Sequence, residues 1–415
     1  MYFFNVLSRP MWTMALCFIL SNIVSAQDTS TVKTTLVPST NTHNAKKWYE
    51  LISLRGYTQI RYNRLLETNP NLKCEQCDRS WGAGNSFFLR RIRLIFSGNV
   101  HDRVYIYIQP DLASSASSTG LHFAQIRDAY FDLSLDEKKE FRIRFGQSKV
   151  PYGFENMQSS QNRVALDRND ALNSAVANER DLGAMFYWAP AKIRERFAYF
   201  ISSGLKGSGD YGVVGFGVYN GQTANRPDAN NTVHTVGRIS YPFMFKNGQY
   251  FEAGIQGYVG KAVVTTLTNK EVKGTENFEY NDNRAAISLK LYPQPFGLTA
   301  EYNIGTGPQY NPLNNSVDQQ DLQGGYVQAE YLIKKQGHVF IPFTRYQYYD
   351  GGKKHEVDAR MHRVRELEIG LEWQPFKNFE LVAMYTISDR VFQDAAKTDN
   401  RQKGRLLRLQ VQFNY

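Results

Sequence analysis

From Lys46 onward the chain repeats one pattern. Segments of about ten residues alternate apolar and polar side chains and are separated by turn-rich stretches. Successive residues of a strand face opposite sides, so this alternation predicts strands with one apolar and one polar face. The connections alternate as well. "GNVHD", "DEKK", "FKNG", "PQPF", "KKQG" and "PFKN" are tight, whereas 66–84, "ASSASSTG", 149–182, 263–281, 306–321, 350–361 and 391–402 are long. A closed antiparallel sheet with one trimmed rim and one elaborated rim produces this rhythm, and an open sandwich does not. The expected fold is therefore all-β: a transmembrane antiparallel barrel of about sixteen strands over residues 48–415, with both ends at the short-turn rim. In 189–212, Ile193, Phe197 and Phe200 or Ile201 recur at helical spacing, while the core "RFAYFIS" could equally alternate as a strand; an extra strand would make the count odd, so a short amphipathic helix on a periplasmic turn is expected.

The stretch "FFLRRIRLIFSG" (87–98) shows why the barrel is a membrane barrel. In strand phase Phe88, Ile92, Leu94 and Phe96 share one face, and Leu89, Arg91, Arg93, Ile95 and Ser97 share the other. Lipid suits the first face and a watery lumen suits the second. An arginine facing lipid costs roughly 2–4 kcal/mol at mid-membrane and about 0–1 near the interface, so Arg90 belongs at the outer-loop end. The same separation places Arg55, Arg61, Arg142, Arg144 and Arg408 inward. Arg127 breaks phase unless a bulge intervenes. The inward arginines come from the first strands and the last, which are neighbours in a closed barrel. Inward Glu301, Glu330, Glu366, Glu368 and Glu372 come from later strands. Either these two walls set up a transverse field that favours anions, or the charges pair and merely solvate the interior.

The N-terminus supplies the destination. Residues 1–26 have a basic residue (Arg9), a short apolar core from 11 to 24 and small residues before Ala26, the pattern of a cleaved signal peptide. The Ser/Thr-rich stretch 27–47 is expected to be a disordered periplasmic linker. Without the leader, 48 Lys and Arg stand against 39 Asp and Glu, a net charge of +9. Such a balance admits nucleic acid as a partner. However, arginines alternating along strands do not form the convex basic patch that nucleic acid requires. Cys74 and Cys77 in "CEQC" fall in the first outer loop, where a small disulfide is expected and a zinc site lacks its second ligand pair. The scattered histidines form no metal cluster, and no nucleophile elbow or phosphate-cradling loop is present, so neither cofactor nor catalysis is expected.

"FFLRRIRLIFSGNVHDRVYIYIQPD", "IRDAYFDL", "FRIRFGQSKVPYGFE" and "ERDLGAMF" resemble the phosphate-selective porin O and P family, with similarity from about residue 51 to 415. The most specific segment comprises Arg144, Gly146, Gln147, Lys149, Val150, Pro151, Tyr152, Gly153 and Glu155. The resemblance implies a sixteen-stranded outer-membrane barrel that is commonly trimeric, with a long third loop folded into the lumen as a constriction. It also implies a C-terminal aromatic signal for barrel insertion machinery, here Tyr415 in place of the commoner Phe. The third loop, 149–182, would present Lys149, Glu155, Arg163, Asp167, Arg168 and Asp170. Arg91, Arg93, Arg142 and Arg144 would form an arginine ladder. The loop centre "NRVALDRNDALN" has no lysine, a departure from the lysine-lined constriction of phosphate-selective relatives.

The expectation is a passive pore in the outer membrane of a Gram-negative bacterium, passing small anionic or polar solutes between outer-membrane lipids. The alternative is a binding or surface-interaction barrel whose pore is plugged. An outer-membrane hydrolase is a third, weaker possibility.

Overall fold

The computed structural model describes residues 47–74, 81, 87–114 and 123–415. The expected leader, nearly all of the expected linker, and Cys77 lie outside these residues. Cys74 is disulfide-bonded and buried.

Sixteen strands build the wall: β1 (Ser53–Glu67), β2 (Phe87–His101), β3 (Val104–Ser114), β4 (Phe123–Ser134), β5 (Phe141–Lys149), β6 (Arg180–Trp188), β7 (Val214–Tyr219), β8 (His234–Met244), β9 (Tyr250–Val259), β10 (Asn283–Leu291), β11 (Phe296–Asn311), β12 (Ser316–Tyr331), β13 (His338–Gly352), β14 (Met361–Phe376), β15 (Phe379–Gln393) and β16 (Arg401–Asn414). Each pairs antiparallel with its sequence neighbours, and β1 also pairs with β16, aligning Tyr57 with Asn414 and closing the sheet. Closure leaves no strand edge in lipid, where an unpaired backbone group would cost several kcal/mol.

The rhythm of connections is as expected, with one correction. The stretch 306–321, read above as a long outer loop, is mostly strand, and β11 and β12 stay in register up to Asn311 opposite Ser316. Alternation fades there because the outward residues turn polar (Thr306, Gln319, Asp321) beyond the membrane. The hydrogen-bonded ladder does not need lipid and continues. The connection 260–282 carries a small hairpin of its own, Lys261–Val263 against Glu279–Asn281.

Burial follows the strand phase. Arg91, Arg93, Ile95 and Ser97 are buried, while Phe96 is exposed on the outer face. At Arg127 the register between β3 and β4 slips, with Gln109 opposite Asp128 but Pro110 opposite Ile126. Pro110 has no N–H to offer the ladder, and a bulge forms beside it. Arg127 and Asp128 therefore both point inward.

On the periplasmic side α3 (Ala191–Ser202) forms where helical spacing predicted it. Ile193, Phe197 and Phe200 are buried, and Phe200 stacks on Tyr292 with ring centroids 4.0 Å apart.

Candidate functional site

The connection between β5 and β6 fills much of the interior. Lys149 is the final residue of β5, so the connection itself spans 150–179 and contains two single-turn helices, α1 (Phe154–Met157) and α2 (Asp170–Asn173). Its apolar side chains explain why it turns inward. Val150, Tyr152, Ala171, Leu172, Ala175 and Val176 pack against inward-facing Tyr187, Tyr219, Tyr258, Leu322, Tyr349 and Val364. Val164, Ala165 and Leu166 meet Ile341, Phe343, Val382 and Met384. Each large apolar side chain buried this way is worth roughly 1.5–3 kcal/mol. Gly153, at φ +82°, makes the turn into α1, and a Cβ there would sit 3.3 Å from Leu172.

Polar anchors fix the same segment to the far wall. Glu301 of β11 accepts hydrogen bonds from the backbone N–H groups of Phe154 and Glu155, the latter at 2.9 Å. Glu155 pairs with Arg345 at 2.7 Å, and Asp170 pairs with Arg390 at 2.8 Å and with Lys353. Asp167 reaches Arg61 at 2.9 Å and also Arg408. Trp81, from the first outer connection, lies over the guanidinium groups of Arg390 (5.0 Å) and Arg408 (5.1 Å). Burial opposes ionisation of Asp167. Arg408 and Arg61 overcome that and hold its carboxyl well below the usual carboxylate range.

Of the two alternatives for the acidic wall, an exposed field or paired charges, the glutamates follow the second. Glu366 pairs with Arg390, Glu368 with Arg345, Glu372 with Lys206 and Glu330 with Lys290, while Glu301 binds the loop backbone. The cations Lys206, Lys290, Arg345 and Arg390 went unnoticed in the sequence, although strand phase places the last three inward. Only the arrangement of the strands shows that the last three meet glutamates, and Lys206 reaches Glu372 from the connection that follows α3. The interior there is a neutralised, partly apolar seat for the loop, not a bare negative surface.

The arginine wall is also paired in part. Arg93 meets Asp111 at 2.8 Å and Arg144 meets Asp132 at 2.7 Å. Arg142 lies 2.9 Å from Asp210 and 3.6 Å from Asp132. Arg61 and Arg408 share Asp167. Arg55 is exposed and stands apart from the constriction, near Tyr107 in a cavity of about 690 Å³. That cavity runs from Lys138 and Glu195 at the periplasmic rim to Lys149, Ser159 and Arg180 at the loop, past Arg144 lying 3.8 Å over the Tyr130 ring.

Where the loop faces β2 to β4, positive charge accumulates. Arg168 and Arg180 pair with Glu179 at 2.9 Å, Arg180 also holds Asp128 at 2.9 Å, and Arg127 lies 3.8 Å from Glu179. Three cations beside them have no carboxylate partner among the described residues. Arg91 donates to Gln59 (2.7 Å), Lys149 to the carbonyls of Met157 and Gln158 (2.8 and 2.7 Å), and Arg163 to the Leu166 carbonyl (3.3 Å).

Solved structures share this architecture. The outer membrane channel DcaP of Acinetobacter baumannii is 14% identical, with a TM-score of 0.52 over 88% of this chain and 97% of that one. An anion-selective porin from Comamonas acidovorans is 10% identical, with a TM-score of 0.53 over 88% and 99%. The trimer form of OmpT from Vibrio cholerae is 8% identical, with a TM-score of 0.50 over 88% and 99%. A comparison with curated proteins found no match. The model of the phosphate-selective porin O and P family matches residues 73–415. This chain, a closed sixteen-stranded barrel of the Gram-negative outer membrane, belongs to that family.

Proposed function

We propose that the protein is a passive porin through which small hydrophilic solutes diffuse, with anions favoured, and that it works as a homotrimer. The observation that carries the anion preference is the set of uncompensated cations at the loop, Arg91, Lys149 and Arg163, beside the partly compensated Arg93, Arg127, Arg168 and Arg180. Cations held in a narrow, low-dielectric passage raise the local anion concentration and repel cations. Glu155, Asp167 and Asp170 act mainly as anchors, and the loop sets size and field. The neighbouring porin from Comamonas acidovorans is described as anion-selective, the family description names phosphate, and OmpT has a trimer form; each agrees with this reading.

Reversal potential across a salt gradient, with purified protein in planar bilayers, tests the proposal. Stable current steps with anion preference are expected, weakened in an Arg91→Gln, Arg163→Gln variant. Phosphate that blocks chloride current at low concentration would extend the preference to phosphate itself. Cation preference would refute the assignment. The second reading, a plugged barrel, draws on the loop and Trp81 filling one side of the lumen, and a folded barrel without any current steps would establish it.

A further inference from the structure

The outward face of β14 to β16 changes character at one height. Starting from the periplasmic side, the aligned rows Trp373–Leu381–Val411, Leu371–Ala383–Leu409 and Ile369–Tyr385–Leu407 are apolar or aromatic. The next rows are Leu367–Ile387–Arg405, Arg365–Asp389–Lys403 and Arg363–Val391–Arg401. On β13, Tyr346, Tyr348 and Asp350 stand beside Leu367, Arg365 and Arg363 respectively.

Strand geometry gives these rows a depth. At ~3.4 Å per residue and a tilt of ~40°, Arg365 and Arg363 lie roughly 20–26 Å above Trp373 along the membrane normal. The apolar band of such barrels is ~25 Å tall, so the two arginines sit at the headgroup level of the leaflet on the long-loop side. Tyr302, Tyr346 and Tyr348, on the same outward face, mark that interface as amphipathic rings do.

The charges do not balance. Arg363, Arg365, Arg401, Lys403 and Arg405 face Asp350 and Asp389, with Asp321 further along on β12. Arg363 pairs with Asp350 (3.1 Å), while Arg401 (2.6 Å) and Lys403 (3.6 Å) share Asp389. Arg365 and Arg405 have no carboxylate partner among the described residues. The side chains of Arg363, Arg401 and Lys403 remain more than half exposed, at 54%, 57% and 64%. A solute in the lumen never meets this face. Guanidinium groups at headgroup depth match phosphate oxygens in a bidentate fork, and the tyrosines below them suit the boundary between sugar and acyl chain.

We infer that the outward strip on β13 to β16 binds a phosphorylated, acylated glycolipid of the outer leaflet at a defined site. It is separate from the conduction path and does not depend on the pore's ion preference.

The experiment is native mass spectrometry of the full chain in detergent with purified lipopolysaccharide added, comparing wild type with an Arg365→Gln, Arg401→Gln, Lys403→Gln variant. Each cation near an anionic surface contributes about fivefold to affinity, so binding is expected to weaken about a hundredfold. Phosphatidylglycerol should bind more weakly than the glycolipid, and inorganic phosphate should not displace it. Current steps and heat-modifiable gel migration should be unchanged. Equal glycolipid binding by variant and wild type would overturn the inference. So would displacement by inorganic phosphate, or loss of the trimer with lipid binding intact, which would make the strip a contact between copies. If the variant does not fold, wild type still decides the matter: adducts must fall steeply between 50 and 500 mM salt, and adducts indifferent to salt would refute the site.

Discussion

Asp167→Asn changes one atom in the inward loop and should change which ions the pore prefers. In the native protein this carboxylate lies 2.9 Å from Arg61 and contacts Arg408, both fully buried, so its negative charge subtracts from the field of two wall arginines. Asparagine keeps the shape and part of the hydrogen bonding. The loop remains seated through Glu155–Arg345, Asp170–Arg390 and the Glu301 contacts to its backbone. Take an ion that passes about 7 Å from the carboxylate, outside the buried pair. A unit charge at that range is worth roughly 0.6–1.2 kcal/mol for effective dielectrics between 80 and 40. The anion-to-cation permeability ratio should therefore rise at least about threefold. The rise should be larger at 0.1 M salt, where the screening length is ~10 Å, than at 1 M, where it is ~3 Å. Bilayer reversal potentials at the two concentrations measure this directly. The folded carboxyl titrates well below its usual range, so its charge persists throughout that range and is lost only as pH falls through the depressed value. Acidification from pH 7 to 5 therefore should not mimic the mutation through this group. An unchanged ratio at 0.1 M, from a folded barrel, would mean that ions do not pass near Asp167 and that the conduction path lies elsewhere.

Two further substitutions test the packing. Gly260→Ala would put a Cβ 2.4 Å from the His234 ring, a buried side chain that cannot swing away. Overpacking of this kind costs about 1–3 kcal/mol, and the temperature at which the folded band is lost on a heat-modifiable gel should fall. Phe200→Ala removes the ring stacked on Tyr292 and should loosen α3 by about 3–5 kcal/mol. Protease added to the periplasmic face should then cut within 191–202 while the strands stay protected; undiminished protection would refute the helix's dependence on that contact.

The wall was legible in the sequence because strand alternation is local: Arg91 and Phe96 declare their faces within one segment. The helix at 191–202 was legible only with help from the whole barrel: Ile193, Phe197 and Phe200 mark one helical face, but the segment also alternates as a strand, and the even strand count decided between them. What stayed hidden depends on register. Asp132 opposite Arg144 and Glu368 opposite Arg345 are pairings between strands, and no periodicity within one strand shows them. A second signal was present but unread. Tyr187, Tyr219, Tyr258, Ile341, Phe343, Val382 and Met384 point inward, where a wholly water-filled lumen would disfavour them. Inward apolar residues in two groups mark the seats of something that covers them, which proves to be the 150–179 connection.

The seam between β1 and β16 sets the order of assembly. Tyr57 meets Asn414, and the backbone groups of Gly56 and Tyr415 exchange hydrogen bonds at 2.7 and 2.9 Å, across nearly the whole length of the barrel sequence. A hairpin such as β14 and β15 can form as soon as its own residues meet. The seam cannot form until both ends of the sheet are present, and contacts so distant in sequence are slow to find each other. Until then two strand edges stand open, each a template for pairing with the wrong chain. The interval before closure is thus the period of greatest aggregation hazard in this protein's life, and it ends with the registration of one strand pair.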